Sequence, residues 1–116
     1  MPDFPPFAKD PRNRIARGSQ FTDDIEGYVF DGADGSQVAF WTCSRDRVSS
    51  EHTHEFDEYV LVVEGQVTAI IGDKNIVLTA GQELVIPKGT KQSMGVTAGT
   101  RTIHIFAGKR ARRDTE

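Results

Sequence analysis

Residues 52–65 read HTHEFDEYVLVVEG and combine two histidines, an acidic residue and an apolar run that ends at a glycine. His52 and His54 are two residues apart, so both imidazoles project from the same face of an extended strand. Glu58 follows at another even offset, which brings its carboxylate to that face if the strand continues through 55–57. Two imidazoles and a carboxylate that converge make a site for a divalent first-row metal. A pair of surface histidines at a strand end is the other interpretation of this spacing.

Residues 81–92 read GQELVIPKGTKQ and place glycine, proline and a polar residue at set intervals. Gly81 is followed after five residues by PKG at 87–89, and Gln92 follows after two more. Fifteen residues lie between Gly65 and Gly81. Together the two stretches resemble the two motifs of the cupin superfamily. The first is HxHxxxE, six residues and glycine; the second is glycine, five residues, PxG, two residues and histidine. The short spacing resembles that of small single-domain, type-2 cupins.

The resemblance implies an all-β fold, a cupin-type double-stranded β-helix that forms a jelly-roll-like barrel and is usually a homodimer. It also implies a metal held by three histidines and one glutamate. His52, His54 and Glu58 match three of these positions, and Gln92 takes the fourth. A glutamine oxygen can ligate a metal but is a harder ligand than imidazole, and Gln92 can instead hydrogen-bond a bound water or substrate. The expected cofactor is a divalent metal ion, Fe, Mn, Ni or Zn.

The composition independently favours an all-β domain. Among 116 residues, Val, Ile and Thr supply 28, whereas Leu supplies 3, and β-branched side chains fit a pleated sheet better than a helix. Short runs of these residues alternate with glycine-rich turn sequences, which is typical of a sandwich or barrel. The predicted strands span residues 25–30, 37–44, 58–64, 66–71, 75–79, 83–86, 92–96 and 101–106.

The chain divides into one domain with two flanking segments. Residues 1–14 contain four of the five prolines and form a predicted N-terminal arm, because proline does not pair within an inner strand. Phe4 and Phe7 are candidates to anchor this arm on the barrel or on a partner subunit. Residues 15–108 form the predicted barrel, and residues 109–116 form a basic tail that we expect to be solvated.

Four further residues are candidates to line the barrel cavity. In the last strand His104 lies on one face and Arg101 on the other, and alternation alone does not say which face points inward. An inward His104 would replace the missing third imidazole ligand, whereas an inward Arg101 would clamp a substrate carboxylate. The interpretation we favour for His104 is a hydrogen-bonded or half-exposed histidine on a strand. Met94 shares a face with Gln92 and is a pocket wall or a core residue. Trp41 lies on one face of its predicted strand, and either face of that strand can line the cavity.

Several classes of protein are excluded by simple features. No apolar run approaches the roughly 18 residues of a membrane helix, and a single cysteine forms no internal disulfide. The formal net charge of -3 argues against general binding to nucleic acid. The sequence contains no GxSxG motif and no phosphate-binding glycine loop. We therefore expect a cytoplasmic protein whose partners are a small-molecule ligand or substrate and a second copy of itself, without nucleic acid or membrane.

The expected function is that of a small metal-binding cupin. As an enzyme it would be a metal-dependent lyase, isomerase, hydrolase or dioxygenase that acts on a small oxygenated or carboxylated compound. The sequence identifies no catalytic residue beyond the metal ligands. The alternative is a non-catalytic binding or sensor module, with or without metal, because a fold does not fix a function.

Overall fold

The fold was analysed in a computed structural model that describes residues 3–116. Within that range the chain forms nine β-strands, preceded by single-turn 3-10 helices at Pro6–Lys9, Pro11–Asn13 and Arg17–Ser19. No helix in these residues is both long and apolar enough to span a membrane. The strands are β1 Ile25–Asp31, β2 Gln37–Cys43, β3 Arg47–Val48, β4 Glu58–Glu64, β5 Gln66–Ile71, β6 Lys74–Thr79, β7 Glu83–Ile86, β8 Ser93–Val96 and β9 Arg101–Phe106.

The strands form two antiparallel sheets, which confirms the predicted all-β architecture. One sheet has five strands in the order β1-β2-β9-β4-β7, and the other has four in the order β3-β8-β5-β6. Burial alternates along β2, where Gln37, Ala39, Trp41 and Cys43 are buried and the residues between them are not. This period of two is the pattern of a strand with one face turned to the core. The predicted strands agree with the observed ones to within one residue at each end, except that the two-residue β3 was not predicted.

Two apolar clusters fill the interior between the sheets. One cluster contains Ile15, Val29, Ala39, Trp41, Phe106 and Ala111, and the other contains Val60, Val62, Val67, Leu78 and Ile86. Members of both clusters line the same internal cavity. The barrel interior is therefore a packed core with a cavity between the two apolar clusters.

The hairpin between β4 and β5 depends on Gly65. Its φ of 87° is in the left-handed region that favours glycine. A Cβ at this position would also lie 2.3 Å from Thr100 Oγ1, which is closer than any real contact. Gly65 thus closes the hairpin and lets Thr100 approach the backbone, so that the Thr100 hydroxyl accepts a hydrogen bond from Gln66 N at 3.1 Å.

The N-terminal arm packs on the outer face of the five-stranded sheet through one of its two aromatic candidates. The ring of Phe4 lies edge-on to Phe40, with 5.3 Å between centroids, and is 9% exposed. Phe7 is 82% exposed and does not anchor the arm on the barrel. Residues 1 and 2 of the predicted arm lie outside the described residues.

The expectation that residues 109–116 are solvated is wrong for the middle of this segment. Ala111 is buried, and the inward side chain of Gln37 holds the backbone around it. Gln37 Oε1 accepts hydrogen bonds from Arg110 N at 2.8 Å and Ala111 N at 2.9 Å, and its Nε2 donates to Ala111 O at 3.1 Å. The sequence of this segment is mostly basic and gave no sign that Ala111 is buried, because its partner Gln37 lies 74 positions earlier in the chain.

We predict that Gln37→Ala lowers the free energy of unfolding by about 2–4 kcal/mol, because it leaves buried backbone groups of the last segment without partners. Urea denaturation measures the change, and Gln66→Ala, which removes an exposed glutamine side chain, is the matched control. Equal stabilities of the two variants would contradict the assigned role of Gln37.

Candidate functional site

The cavity between the two clusters has a volume of about 80 Å³. This is room for a few water molecules or a ligand of a few heavy atoms. Its charged and titratable lining residues are His52, His54, Glu58, His104 and Arg110, and its apolar walls include Phe21, Trp41, Val67, Met94 and Phe106.

His52 and Gln92 are brought together by the backbone. They form an isolated antiparallel bridge in which His52 N donates to Gln92 O at 2.8 Å and Gln92 N donates to His52 O at 2.9 Å. Directly opposed residues in such a pair carry their side chains on the same face. The two sequence motifs are therefore joined at the positions that the sequence analysis singled out.

The strand does not continue from His54 to Glu58, contrary to one premise of the sequence analysis. The chain bends at residues 55–56, and β4 begins at Glu58. Glu58 nevertheless points inward because it shares the buried face of β4 with Val60 and Val62. The rings of His52 and His54 remain neighbours, with centroids 4.8 Å apart.

The carboxylate of Glu58 is buried, and each of its oxygens accepts one hydrogen bond. His104 Nδ1 lies 2.8 Å from its Oε2, Gln92 Nε2 donates to its Oε1 at 3.0 Å, and His54 Nε2 lies 3.5 Å from Oε1. Burial by itself would raise the pKa of Glu58, but the hydrogen bonds from His104 and Gln92 and the nearby imidazoles outweigh it and lower the pKa. Glu58 is therefore ionised at neutral pH.

The two motif histidines have lone pairs available for a ligand. Burial lowers the pKa of His54 to about 4, so its ring is neutral near pH 7. His52 Nδ1 lies 2.8 Å from Ser50 O, and a carbonyl oxygen only accepts hydrogen bonds. The proton of neutral His52 is thus on Nδ1, which leaves the Nε2 lone pair free, as in many metal-binding histidines.

Gln92 carries an unsatisfied polar atom. Its side chain is 1% exposed, and its Oε1 is the one buried side-chain nitrogen or oxygen in residues 3–116 without a hydrogen-bond partner. Buried polar atoms in folded proteins are almost always paired, so an exception points to a missing water, ion or ligand. The Nε2 of the same amide is already bound to Glu58, which turns Oε1 away from that carboxylate. Gln92 does not itself line the cavity but reaches it through Glu58, which does.

The structure shows which of His104 and Arg101 points into the cavity. His104 faces inward with Thr102 and Phe106, and its Nε2 lies 3.0 Å from Thr102 Oγ1. Arg101 does not line the cavity, so the alternative in which it points inward and clamps a substrate carboxylate is excluded. It lies on the other face of β9, where it pairs with Glu64 at 3.1 Å and covers the ring of Phe4.

The other two predicted wall residues, Trp41 and Met94, both line the cavity. The ring of Trp41 lies edge-on to His104, with centroids 4.9 Å apart, and its Nε1 donates to Gln20 Oε1 at 2.8 Å. Cys43 lies two residues after Trp41 on the same face of β2 and is also buried.

Phe21 and Arg110 are among the cavity residues that were not identified from the sequence. Phe21 precedes β1 and stacks on His52 with centroids 4.0 Å apart and an angle of 6° between the rings. Arg110 follows β9 and was hidden in the run of basic residues at the chain end. No local pattern marks Phe21, because its contact with His52 is made only in the folded barrel.

The donor set is not arranged as a preformed metal cluster. Within the described residues, no three His, Cys, Asp or Glu side chains converge as metal ligands do. Both oxygens of Glu58 instead accept hydrogen bonds, from His104 and Gln92. The residue types still fit a divalent ion, because the set offers neutral imidazoles, one carboxylate and an unpaired amide oxygen. Each oxygen of Glu58 keeps a second lone pair, so the carboxylate can bind an ion while it accepts the hydrogen bond from His104.

Comparisons with known proteins agree with this architecture. The family model described as Cupin domain matches residues 40–107, which contain every predicted metal ligand. A search of curated proteins finds no significant match.

Many solved structures resemble the chain, and three of them illustrate the likeness. A cupin superfamily protein from Desulfitobacterium hafniense has 15% identity and a TM-score of 0.68, covering 75% of this chain and 80% of its own. KdgF from a Halomonas species has 18% identity and a TM-score of 0.67, covering 87% and 94%. A cupin-2 domain containing protein from Shewanella frigidimarina has 26% identity and a TM-score of 0.60, covering 68% and 76%. At the lower identities the likeness concerns the fold alone.

We predict that His104→Leu lowers the free energy of unfolding of the metal-free protein by about 2–4 kcal/mol at pH 7, because it removes a donor from a buried charge. The same substitution in a Glu58→Gln background should cost at least about 1 kcal/mol less, because that background lacks the charge. Urea denaturation of the four proteins in the cycle measures the coupling. Additive effects would contradict the proposed dependence of Glu58 on His104.

Proposed function

The chain belongs to the cupin domain family, and from that premise we propose that it binds one divalent metal ion inside its barrel and acts as a metal-dependent enzyme. Its substrate would be a small oxygenated or carboxylated compound. The proposal concerns the cavity next to Glu58, where the two sequence motifs meet.

The observation that carries the proposal is the unpaired Oε1 of Gln92. An amide oxygen that is buried without a donor costs free energy until a cation or a donor reaches it. A divalent ion satisfies this oxygen and also the lone pairs of His52 and His54. A water molecule alone would satisfy Oε1 but would not use both imidazoles and the carboxylate of Glu58.

The ligands of the proposed site are His52, His54, Glu58 and Gln92. Their mixture of imidazole, carboxylate and amide oxygen suits Fe(II), Mn(II), Ni(II) or Zn(II) better than copper, which prefers softer ligands. His104 would keep its hydrogen bond to Glu58 Oε2 and hold the carboxylate in one orientation. His104 is thus a positioning residue rather than a ligand.

A bound divalent ion supplies a Lewis acid and lowers the pKa of a coordinated water. The chain itself supplies the enclosure. Phe21 covers His52, and Trp41 and Phe106 form aromatic walls that exclude bulk water and strengthen electrostatic interactions in the cavity. Lyase, isomerase, hydrolase and dioxygenase chemistry all remain compatible with this arrangement.

The second candidate is a non-catalytic module that binds a small molecule, with or without metal. One observation favours it: Asp57, the carboxylate that precedes Glu58 in the sequence, accepts a hydrogen bond from Lys88 N at 2.9 Å and does not line the cavity, so it offers no general base there. An enzyme would consume a bound compound and a module would return it unchanged, and ¹H NMR of the mixture over time distinguishes the two.

Metal content tests the proposed site directly. We expect near-stoichiometric metal in untagged protein purified without chelator, measured by elemental mass spectrometry. His52→Ala should lose at least about 90% of the metal, and Gln92→Ala should also lose most of it, because each variant removes one of four ligands. The exposed-glutamine variant Gln66→Ala is the control and should retain full content.

The proposal fails if the unchanged protein holds no metal after reconstitution with Fe, Mn, Ni and Zn in turn. The non-catalytic module without metal would then be the leading function. If the metal is retained in Gln92→Ala but lost in His52→Ala, the ion binds without the amide oxygen.

A further inference from the structure

A positively charged side chain from the last segment of the chain forms part of the cavity wall. The guanidinium carbon of Arg110 lies 4.8 Å from the ring centroid of Phe21, 5.0 Å from that of Trp41 and 5.8 Å from that of Phe106. All three rings line the same cavity as Arg110. Cation–π contacts of this kind hold a guanidinium in one place.

The guanidinium of Arg110 forms no ion pair with the residues that the structure describes, although the charge of Glu58 in the same cavity attracts it. Arg47, Arg101 and Arg113 each pair with a carboxylate, whereas Arg110 forms no ion pair with any residue in 3–116. Its Nη1 donates to Ser19 O, and no other hydrogen bond from its guanidinium to the described residues is made. Burial lowers the pKa of Arg110 to about 10, so the group is still charged at neutral pH.

The balance of charge in the cavity would favour an anion once a divalent ion is bound. Glu58 is the one carboxylate among the residues that line it, and its oxygens are bound by His104 and Gln92. With a divalent ion in place, the ion and the guanidinium together outweigh this single negative charge. An unpaired, partly desolvated cation costs free energy, which a bound anion would recover.

We propose that Arg110 binds a carboxylate group of the ligand and makes the cavity selective for small carboxylates over uncharged compounds. The free N–H groups of a guanidinium form a planar fork that matches a carboxylate in two parallel hydrogen bonds. The inference rests on the proposed function in that the ligand occupies the same cavity as the proposed metal. It gives a role to Arg110, a residue outside the range matched by the family model.

Trp41 provides a built-in reporter for the test. It is the single tryptophan of the chain, and its ring is 5.0 Å from the guanidinium carbon. The probes are acetate, glycolate and pyruvate, each compared with its neutral amide at constant ionic strength and pH 7. Each probe is titrated into metal-loaded and metal-free protein while Trp41 emission is recorded.

We expect a saturable change in Trp41 emission with at least one carboxylate and no saturable change with its amide. Arg110→Gln should weaken carboxylate binding at least about tenfold, because it removes a charge-assisted pair of hydrogen bonds. Arg110→Lys keeps the charge without the fork and should weaken binding by a smaller factor. Arg101→Gln removes another arginine that stacks on an aromatic ring but lies outside the cavity, and it should bind as the unchanged protein does.

Thermal unfolding and metal content of the same variants separate this inference from the proposed function. Arg110→Gln with normal metal content, normal unfolding and weakened carboxylate binding supports the inference. If Arg110→Gln does not fold, carboxylate binding by Arg110→Lys is compared with that by Arg101→Gln, and weaker binding by Arg110→Lys supports the inference. The inference is wrong if no carboxylate probe binds, if the amides bind equally well, or if the Arg110 variants bind carboxylates as tightly as Arg101→Gln. Loss of metal from the unchanged protein contradicts only the proposed function, since binding to the metal-free protein still tests Arg110.

Discussion

The buried carboxylate of Glu58 is the group on which the arrangement of the barrel interior depends. An ionised carboxylate in an apolar interior costs several kcal/mol unless it is paired and hydrogen-bonded. Glu58 meets this requirement through His104 and Gln92, which approach from β9 and from the segment before β8. Their hydrogen bonds fix both side chains in turn, and the amide of Gln92 is left with its oxygen unpaired. This unpaired oxygen lies behind the cavity lining, next to Glu58, and its position thus follows from the need to satisfy one negative charge.

The cavity is completed by segments on both sides of the barrel. Phe21 precedes β1 and covers His52, while Arg110 follows β9 and lies against the ring of Phe21. These two segments are also tied to each other, because Arg110 Nη1 and Arg112 N both donate to Ser19. In our account the barrel motifs provide the metal ligands, and the flanking segments provide the wall that selects the ligand. Proteins that share the barrel but differ in these segments would then differ in what they bind.

The sequence predicted the parts of this structure that depend on local rules. The strands follow from alternation and turn residues, and Gly65 ends its motif at a hairpin that requires positive φ. The inward position of Glu58 was also predicted, although the reason was wrong: the register of β4 sets it, and not a continuous strand from His52. The parts that were missed depend on contacts between distant residues. Alternation along β9 could not tell His104 from Arg101, and the burial of Ala111 depends on Gln37 in β2.

The central claim is that the unpaired oxygen of Gln92 marks a metal position. Anomalous diffraction from crystals of Co²⁺-loaded or Zn²⁺-loaded protein tests it most directly, because the signal locates the ion. We expect one strong peak beside the cavity, about 2.0–2.3 Å from nitrogen atoms of His52 and His54 and from oxygen atoms of Glu58 and Gln92. A cavity without a peak, with a water molecule bound to Gln92 Oε1 instead, would contradict it.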